Sequence, residues 1–376
     1  MNKSTILYLL DTLQTGGAEK SLLEITSRFQ HFNPVFVTLF AGKHDLLPDY
    51  EAAGVQVIRL GLPVSNKFKD LAKCVDKVVS DQNAVIVHSS IFRSDMTARH
   101  LKSKVKIVNS LVNNSYRKRR YDGLPWKGKL SLLAVQVLDR FTIGRIDLMI
   151  ANSQVLVDSH RKTIGLDPEK SIVIHRGRAI PKVIKHRTSD NGQRASGIEH
   201  RTWLCVGRLI ERKGHKDLLF AFSKLLKSRP NDRLILAGDG DFRSAIEKEI
   251  VKLKIRNSVD LLGTVTYVYE LLEKSDFFVF PSYFEGLPGS VIEAMMSKIP
   301  IICSDIPENK ECLKDGMCLF HRVGDALDLF EKMKEATLLT DWDIRTEKAY
   351  EYASEHFNID KIATHYEETY LKLLNS

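Results

Sequence analysis

Residues 276–305, DFFVFPSYFEGLPGSVIEAMMSKIPIICSD, decide how this chain folds. The opening DFFVFPS is a short apolar run of the kind found in strands buried on both faces. A Gly-Leu-Pro-Gly bend follows, and GSVIEAMM then starts a helix near Gly289, with Ser290 as its candidate cap. PIICS is a second buried strand. Two carboxylates stand out, Glu285 in the bend and Glu293 in the helix's first turn or so. The helix dipole alone favours an acidic residue at Glu293. The alternative is that both carboxylates accept hydrogen bonds from vicinal hydroxyls, one holding a sugar and the other a ribose.

The same rhythm extends in both directions. Apolar runs recur at STILYLL, PVFVTLF, VQVIRL, AVIVH, VKIVN, LMIAN, TWLCVG, RLILAG and VDLLG, separated by segments such as AEKSLLEITSRF with apolar residues at helical spacing. Alternating β and α elements give the α/β class with open parallel sheets. At 376 residues the chain is too long for one ordinary core. We therefore expect two Rossmann-like, doubly wound domains. Residues 182–200 are polar, carry Gly and Ser and lack periodicity, which is linker composition. The expected organisation is a first domain at 1–181, the linker, a second domain at 201–350, and a C-terminal helix at 351–376 returning to the first domain. Residues 341–374 read as two helices, the last with Ile359, Ile362, Ala363, Tyr366, Tyr370 and Leu373 as its apolar set.

Composition narrows the partners. The chain is 43% hydrophobic and 27% charged, as in folded soluble proteins. No stretch approaches the ~20 apolar residues of a membrane span. The N-terminal apolar run leads into Asp11 and a Gly pair, so it reads as a first strand rather than a signal peptide. Five scattered cysteines without a C-x-x-C pair argue against a disulfide scaffold or a zinc site and for a reducing cytoplasm. The formal charge of +9 suits an anionic partner. Nucleic acid is set aside, because no zinc-finger spacing or RNA-binding aromatic signature is present. The densest basic cluster, Arg117-Lys118-Arg119-Arg120, is either a solvated loop or a site of attraction to an anionic membrane. In the helix at 127–144, Leu130, Leu133, Ala134, Val137, Leu138 and Phe141 form one stripe, expected to face the core rather than a membrane interface.

Ligands of open α/β sheets bind beyond the carboxyl ends of strands. After the first strand, Gly16 and Gly17 precede a helix whose unpaired N–H groups can cradle phosphate, although a plain turn explains them too. In VGRLIERKGHKDLL the strand ends at Gly207, and Arg208 and Lys213 follow before Gly214. Two cations on such a loop can clamp a diphosphate. Asp239 and Asp241 flank Gly240, where a turn with an Asp cap accounts for them without a metal.

Taken together, TGGAEKSLLEI, VIVHSSIFRSDMTAR, LMIANS, VIHRG, VGRLIERKGHKDLL, LAGDG, LLGTV and FPSYFEGLPGSVIEAMMSKIPIICSD resemble the retaining family 4 glycosyltransferases of GT-B fold, many of which build bacterial surface polysaccharides. The similarity runs through nearly the whole chain. Its most specific element is the E-x7-E spacing of Glu285 and Glu293. The resemblance implies two domains facing a cleft and a nucleotide-sugar, a UDP-sugar for preference, on the second. Gly17 would back the diphosphate. Gly207, Arg208 and Lys213 would line and neutralise it. Backbone at Gly263, Thr264 and Val265 would meet the base. Glu285 would hold the transferred sugar with backbone N–H groups from Gly286, Leu287 and Pro288, and Glu293 would take the ribose. Glu285, Arg208 and Lys213 are thus the candidate catalytic residues. No cofactor and no metal are expected.

One departure is that Val112, in KIVNSLVNNSY, stands where many members carry a histidine. Asn113 is polar there but is no general base. The VIHRG stretch also places Arg176 where an asparagine is usual. Candidate acceptor residues are His88, Arg93, Asn113, Arg117 and Arg176, for a glycan or lipid-linked acceptor. The expected enzyme is a hexosyl- or N-acetylhexosaminyltransferase of cell-surface polysaccharide synthesis, cytoplasmic and peripheral on the anionic inner membrane face. The competing readings are another GT-B chemistry such as an epimerase, and a non-catalytic nucleotide-sugar-binding homologue.

Overall fold

The structure is a computed structural model, and it describes residues 3–14, 16–181 and 200–376. The linker expected at 182–200 therefore lies, but for its last residue, outside the described residues. The chain divides into two compact units. Unit 1 is residues 1–177 together with Ile359–Ser376, and unit 2 is Arg178–Asn358.

Unit 1 is built on a parallel sheet of β1 (Ser4–Leu10), β2 (Phe32–Phe40), β3 (Gln56–Leu62), β4 (Ala84–Ser90), β5 (Lys106–Leu111), β6 (Leu148–Ala151) and β7 (Ser171–Val173), in the order β3-β2-β1-β4-β5-β6-β7. Each central strand is an apolar run because helices cover both faces. Helix Phe68–Asp81 shows how one face is closed, burying Leu71, Ala72, Val75, Val78 and Val79 at helical spacing. Helix Gln154–Ile164 starts where Ser153 accepts from the Leu156 N–H and stops at Gly165, which takes the left-handed conformation.

Unit 2 repeats the plan with β8 (Thr202–Val206), β9 (Arg233–Ala237), β10 (Val259–Gly263), β11 (Phe277–Phe280), β12 (Ile301–Ser304) and β13 (Leu319–His321), in the order β10-β9-β8-β11-β12-β13. Both units are thus Rossmann-like. The strands β7 and β13 were not among the apolar runs read from sequence. Each is only three residues long, which leaves no pattern to detect.

The unit boundaries differ from those expected. The first crossing falls after Gly177 rather than after residue 181, and the return falls after Asn358 rather than after residue 350. The physical reason is the pair of terminal helices. Helix Trp342–His356 buries Thr346, Ala349 and Ala353 and packs on helix Gly289–Met296 of unit 2. Helix Ile359–Asn375 buries Ile359, Ile362, Ala363, Tyr366 and Tyr370 in the core of unit 1. It is pinned by Glu367, whose carboxylate accepts from the backbone N–H groups of Gln30, His31 and Phe32 at 2.9, 2.7 and 3.1 Å.

Helix Trp126–Thr142 corrects another expectation. Its buried side is Leu132 and Thr142, with Asp139 paired to the buried Arg99. Of the stripe expected to face the core, Leu138 is half-buried and the other five residues point outward instead. Leu130, Leu133 and Val137 are 57%, 49% and 44% exposed, and Trp126 and Phe141 reach 66% and 82%. The sequence misleads here because the face that packs carries an ion pair, while the face that does not is the more apolar one.

Candidate active site

The site in unit 2 grows from two neighbouring strands. β8 and β11 lie side by side at the point where the strand order reverses, the place where open α/β sheets bind ligands. The loop after β8 holds Gly207, Arg208, Arg212 and Lys213, and the loop after β11 holds residues 281–288. The two loops meet closely at Gly214. It sits at φ 71°, and a Cβ there would collide with the carbonyl of Pro281. Arg212 stitches the junction further. Its carbonyl accepts from the Tyr283 N–H at 2.8 Å, and its guanidinium donates to the Phe284 carbonyl at 2.6 Å.

Glu285 sits buried at the centre of this junction. Lys213 Nζ lies 2.8 Å and Arg212 3.1 Å from its Oε1, and the Ser282 hydroxyl donates to the same oxygen. Burial alone would push the Glu285 pKa up, but the charges of Lys213 and Arg212 and the bonds from Lys213 and Ser282 outweigh it and hold the carboxyl below its usual value. Glu285 is therefore a carboxylate at neutral pH. Lys213 also lies over the Phe280 ring, 4.6 Å from its centre, and Arg212 over Phe284 at 5.2 Å.

This changes the sequence-based assignments in part. Lys213, expected to serve a diphosphate, is here the counter-ion of Glu285. Arg212 was not singled out at all. One more cation in RLIERKG carried no signal of its own, because only the fold shows which two of the three face Glu285. Arg208 is exposed and pairs with no carboxylate among the described residues. Pro288 has no N–H, so the donors that the bend itself can offer are Gly286 and Leu287.

Helix Gly289–Met296 follows the bend. Its N-cap position is Pro288, so Ser290 lies within the first turn and caps nothing. Glu293 is partly buried and accepts from Arg178 Nε at 2.7 Å. At the end of β10, Gly263 takes φ 73° and its carbonyl accepts from the Gly238 N–H at 2.8 Å. Thr264 is exposed and Val265 half-buried beside it. Asp239 accepts from the Gly240 N–H and pairs with Arg243 at 3.6 Å. Among the described residues no group of three or more His, Cys, Asp and Glu is placed to hold a metal.

In unit 1, Gly17 is exposed at the start of helix Gly17–Thr26. His88 is a correction. Its ring is buried, with Nδ1 2.6 Å from the Tyr370 hydroxyl and Nε2 2.7 Å from Ser110 Oγ. Burial, helped by the nearby charge of Arg176, pushes its pKa down to about 3, so it stays neutral. A ring bonded at both nitrogens in the core has no edge for an acceptor; the strand end that suggested one is closed by the C-terminal helix. Arg176 is also buried, near His88, Tyr50 and Tyr366. Arg93 is accessible, 3.2 Å from Asn66 and 3.9 Å from Asp11. Asn113 is exposed and Arg117 half-exposed, while Asn114 is buried and bonded to Ser159.

Comparison with known proteins places the chain. Residues 15–179 match the family model described as Glycosyltransferase Family 4, and residues 189–356 match Glycosyl transferases group 1. The chain belongs to these glycosyltransferases. The uncharacterized glycosyltransferase MJ1059 of Methanocaldococcus jannaschii is 27% identical over 65% of this chain and 56% of its own length. The N-acetylgalactosamine-N,N'-diacetylbacillosaminyl-diphospho-undecaprenol 4-alpha-N-acetylgalactosaminyltransferase of Campylobacter jejuni is 25% identical over 68% of this chain and 66% of its own length. The matched stretch thus spans less than two thirds of either relative. Among solved structures, Anabaena Alr3699/HepE in complex with UDP and glucose superposes with a TM-score of 0.80 at 20% identity, covering 98% of this chain and all of that one. Its likeness establishes the shared GT-B fold.

Proposed function

We propose that the chain transfers a sugar, with retention, from a UDP-sugar to a lipid-linked or glycan acceptor of cell-surface polysaccharide. The observation that carries this reading is the polarised Glu285 carboxylate. Its three close partners all reach Oε1, which leaves Oε2 to accept from a sugar hydroxyl. Arg208, exposed on the same loop, then meets the leaving diphosphate, where positive charge offsets what develops as the glycosidic bond breaks. Retention follows from a front-face route in which the departing phosphate, rather than a side-chain base, takes the acceptor proton. That route has no need of a histidine at Val112. UDP is the nucleotide in the HepE complex, which supports the choice of UDP among the donors. A melting panel with UDP, GDP and ADP tests the donor. At about a hundred times Kd, one nucleotide should stabilise by roughly 2.7 kcal/mol, raising the melting temperature by several degrees. No shift with any of them would sink the reading.

The acceptor side rests on helix Trp126–Thr142. Its exposed stripe of Trp126, Leu130, Leu133, Val137 and Phe141 is flanked by Lys127 on one side and by Lys129 and Arg140 on the other. Arg117, Lys118 and Arg120 lie just before it in the chain. An apolar face edged by cations is the make-up of a helix that lies in an anionic membrane surface. We read it as peripheral attachment at the cytoplasmic face, where a lipid-linked acceptor is found. Replacing Trp126 and Phe141 together with serine should weaken co-sedimentation with phosphatidylglycerol vesicles by tenfold or more, on the order expected for two aromatic side chains. Its melting temperature should not change. Undiminished vesicle binding, or a dimer that dissociates in the variant, would refute the membrane assignment.

A further inference from the structure

Glu293 does not wait alone for a ribose. We infer that Arg178 is a latch on the donor site, competing with the nucleotide for Glu293. The inference rests on the donor reading above.

Three observations support it. The Arg178 Nε is 2.7 Å from Glu293 Oε1, and both side chains are four-fifths buried, so the pair is only partly screened by solvent. The guanidinium also lies across the first turn of helix Gly289–Met296, so close that a Cβ at Gly289 would collide with it. The bare glycine leaves the space in which the guanidinium lies against the backbone. Finally, the arginine is held from behind. Its N–H donates to the Phe357 carbonyl at 2.8 Å, the Ala179 carbonyl accepts from the Tyr269 hydroxyl at 3.0 Å, and Ile180 packs into the unit 2 core.

The electrostatics make this arrangement odd for a purely structural bond. The N-terminal end of a helix carries partial positive charge and favours anions, so a guanidinium there is repelled by the dipole and held by the carboxylate. The same glycine-lined turn suits a neutral or negative group better. Ribose hydroxyls that approach Glu293 on its Oε1 side, over the first turn of the helix, compete there with Arg178, and the diphosphate beyond them supplies an anionic partner for the displaced guanidinium only if it can reach. The backbone anchors at Phe357 and Tyr269 limit that reach. Donor binding therefore bears the cost of breaking one ion pair, and the latch sets how much nucleotide is needed before the site opens. The sequence motif leaves this out: it names Glu293, and Arg178 lies 115 positions before it.

Calorimetric titration of the full chain and of Arg178→Met with UDP, UMP, ADP and GDP tests the latch. The variant should bind its preferred nucleotide about threefold to tenfold more tightly, the range expected for removing a partly screened pair. UMP should gain as much as UDP, because the competition is at the ribose. Raising the salt concentration should narrow the gap between the two proteins. Arg178→Lys, with a charge but no fork, should fall between them and guards against a folding defect in the first variant. Equal affinities, or weaker binding by Arg178→Met, would overturn the latch while leaving the donor reading intact. Binding of no nucleotide by either protein would overturn both.

Discussion

Glu285→Ala should lower sugar transfer by about two to three orders of magnitude while changing nucleotide affinity only a few-fold. The magnitude is that of removing one preorganised polar contact to the reacting sugar. The split between the two quantities is the diagnostic part. Glu285 is the carboxylate on which Lys213, Arg212 and Ser282 converge, and the contacts proposed for the nucleotide's phosphates and ribose lie on other residues, Arg208 and Glu293. Stability should change less than activity. The deletion removes a buried charge together with the reason for Lys213 and Arg212 to converge, and both cations have partly exposed side chains that can turn to water. Glu285→Gln keeps the shape but gives Lys213 and Arg212 a neutral partner, and it should lose activity nearly as fully. Steady-state kinetics with separate measurement of nucleotide binding decides the matter. Equal losses in transfer and in binding would take the sugar-holding role away from Glu285.

Glu367→Ala carries the largest expected effect on stability. Its carboxylate is buried and answers three consecutive backbone N–H groups at the start of β2. Leaving such donors unanswered costs about 1–3 kcal/mol each where water cannot reach them. Gln30 and His31 are exposed enough to find water, so their two bonds cost only about 0.5–1.5 kcal/mol net each, which added to the unanswered Phe32 N–H makes roughly 3–4 kcal/mol in all. For a domain of this size that is a fall of about 6–15 °C in the melting temperature of unit 1. Glu367→Gln retains one acceptor oxygen and should lose about half as much. Scanning calorimetry should show the unit 1 transition moving while that of unit 2 stays. A shift of less than a degree would mean that the apolar face of helix Ile359–Asn375 holds the helix without this anchor.

Much of the architecture could be read from the chain, and the reasons are local. STILYLL and DFFVFPS read as strands because parallel strands covered on both faces need continuous apolar runs, and both carry strands in the fold. The strand-end positions of Arg208, Lys213 and Glu285, and the place of Glu293 in the helix that follows, came from the same rhythm, because strands and helices alternate. His88 shows the limit. Whether a strand-end histidine is open or closed depends on a tyrosine 282 positions later, Tyr370, and no local pattern records that.

Helix Trp126–Thr142 marks the same boundary from the other side. Its periodicity located the helix correctly and then assigned the wrong face to the core, since a buried Arg99–Asp139 pair looks polar in sequence. By itself, then, the sequence determined the elements, the two Rossmann-like domains and the carboxylates and cations gathered at strand ends. Those follow from hydrophobic period and from where loops must fall. Tertiary structure alone decided the partners: Arg212 and Lys213 on Glu285, Arg178 on Glu293, Glu367 on the start of β2. Each joins residues on separate elements, and the energy of a charge pair depends on distance and burial, which only the folded chain fixes.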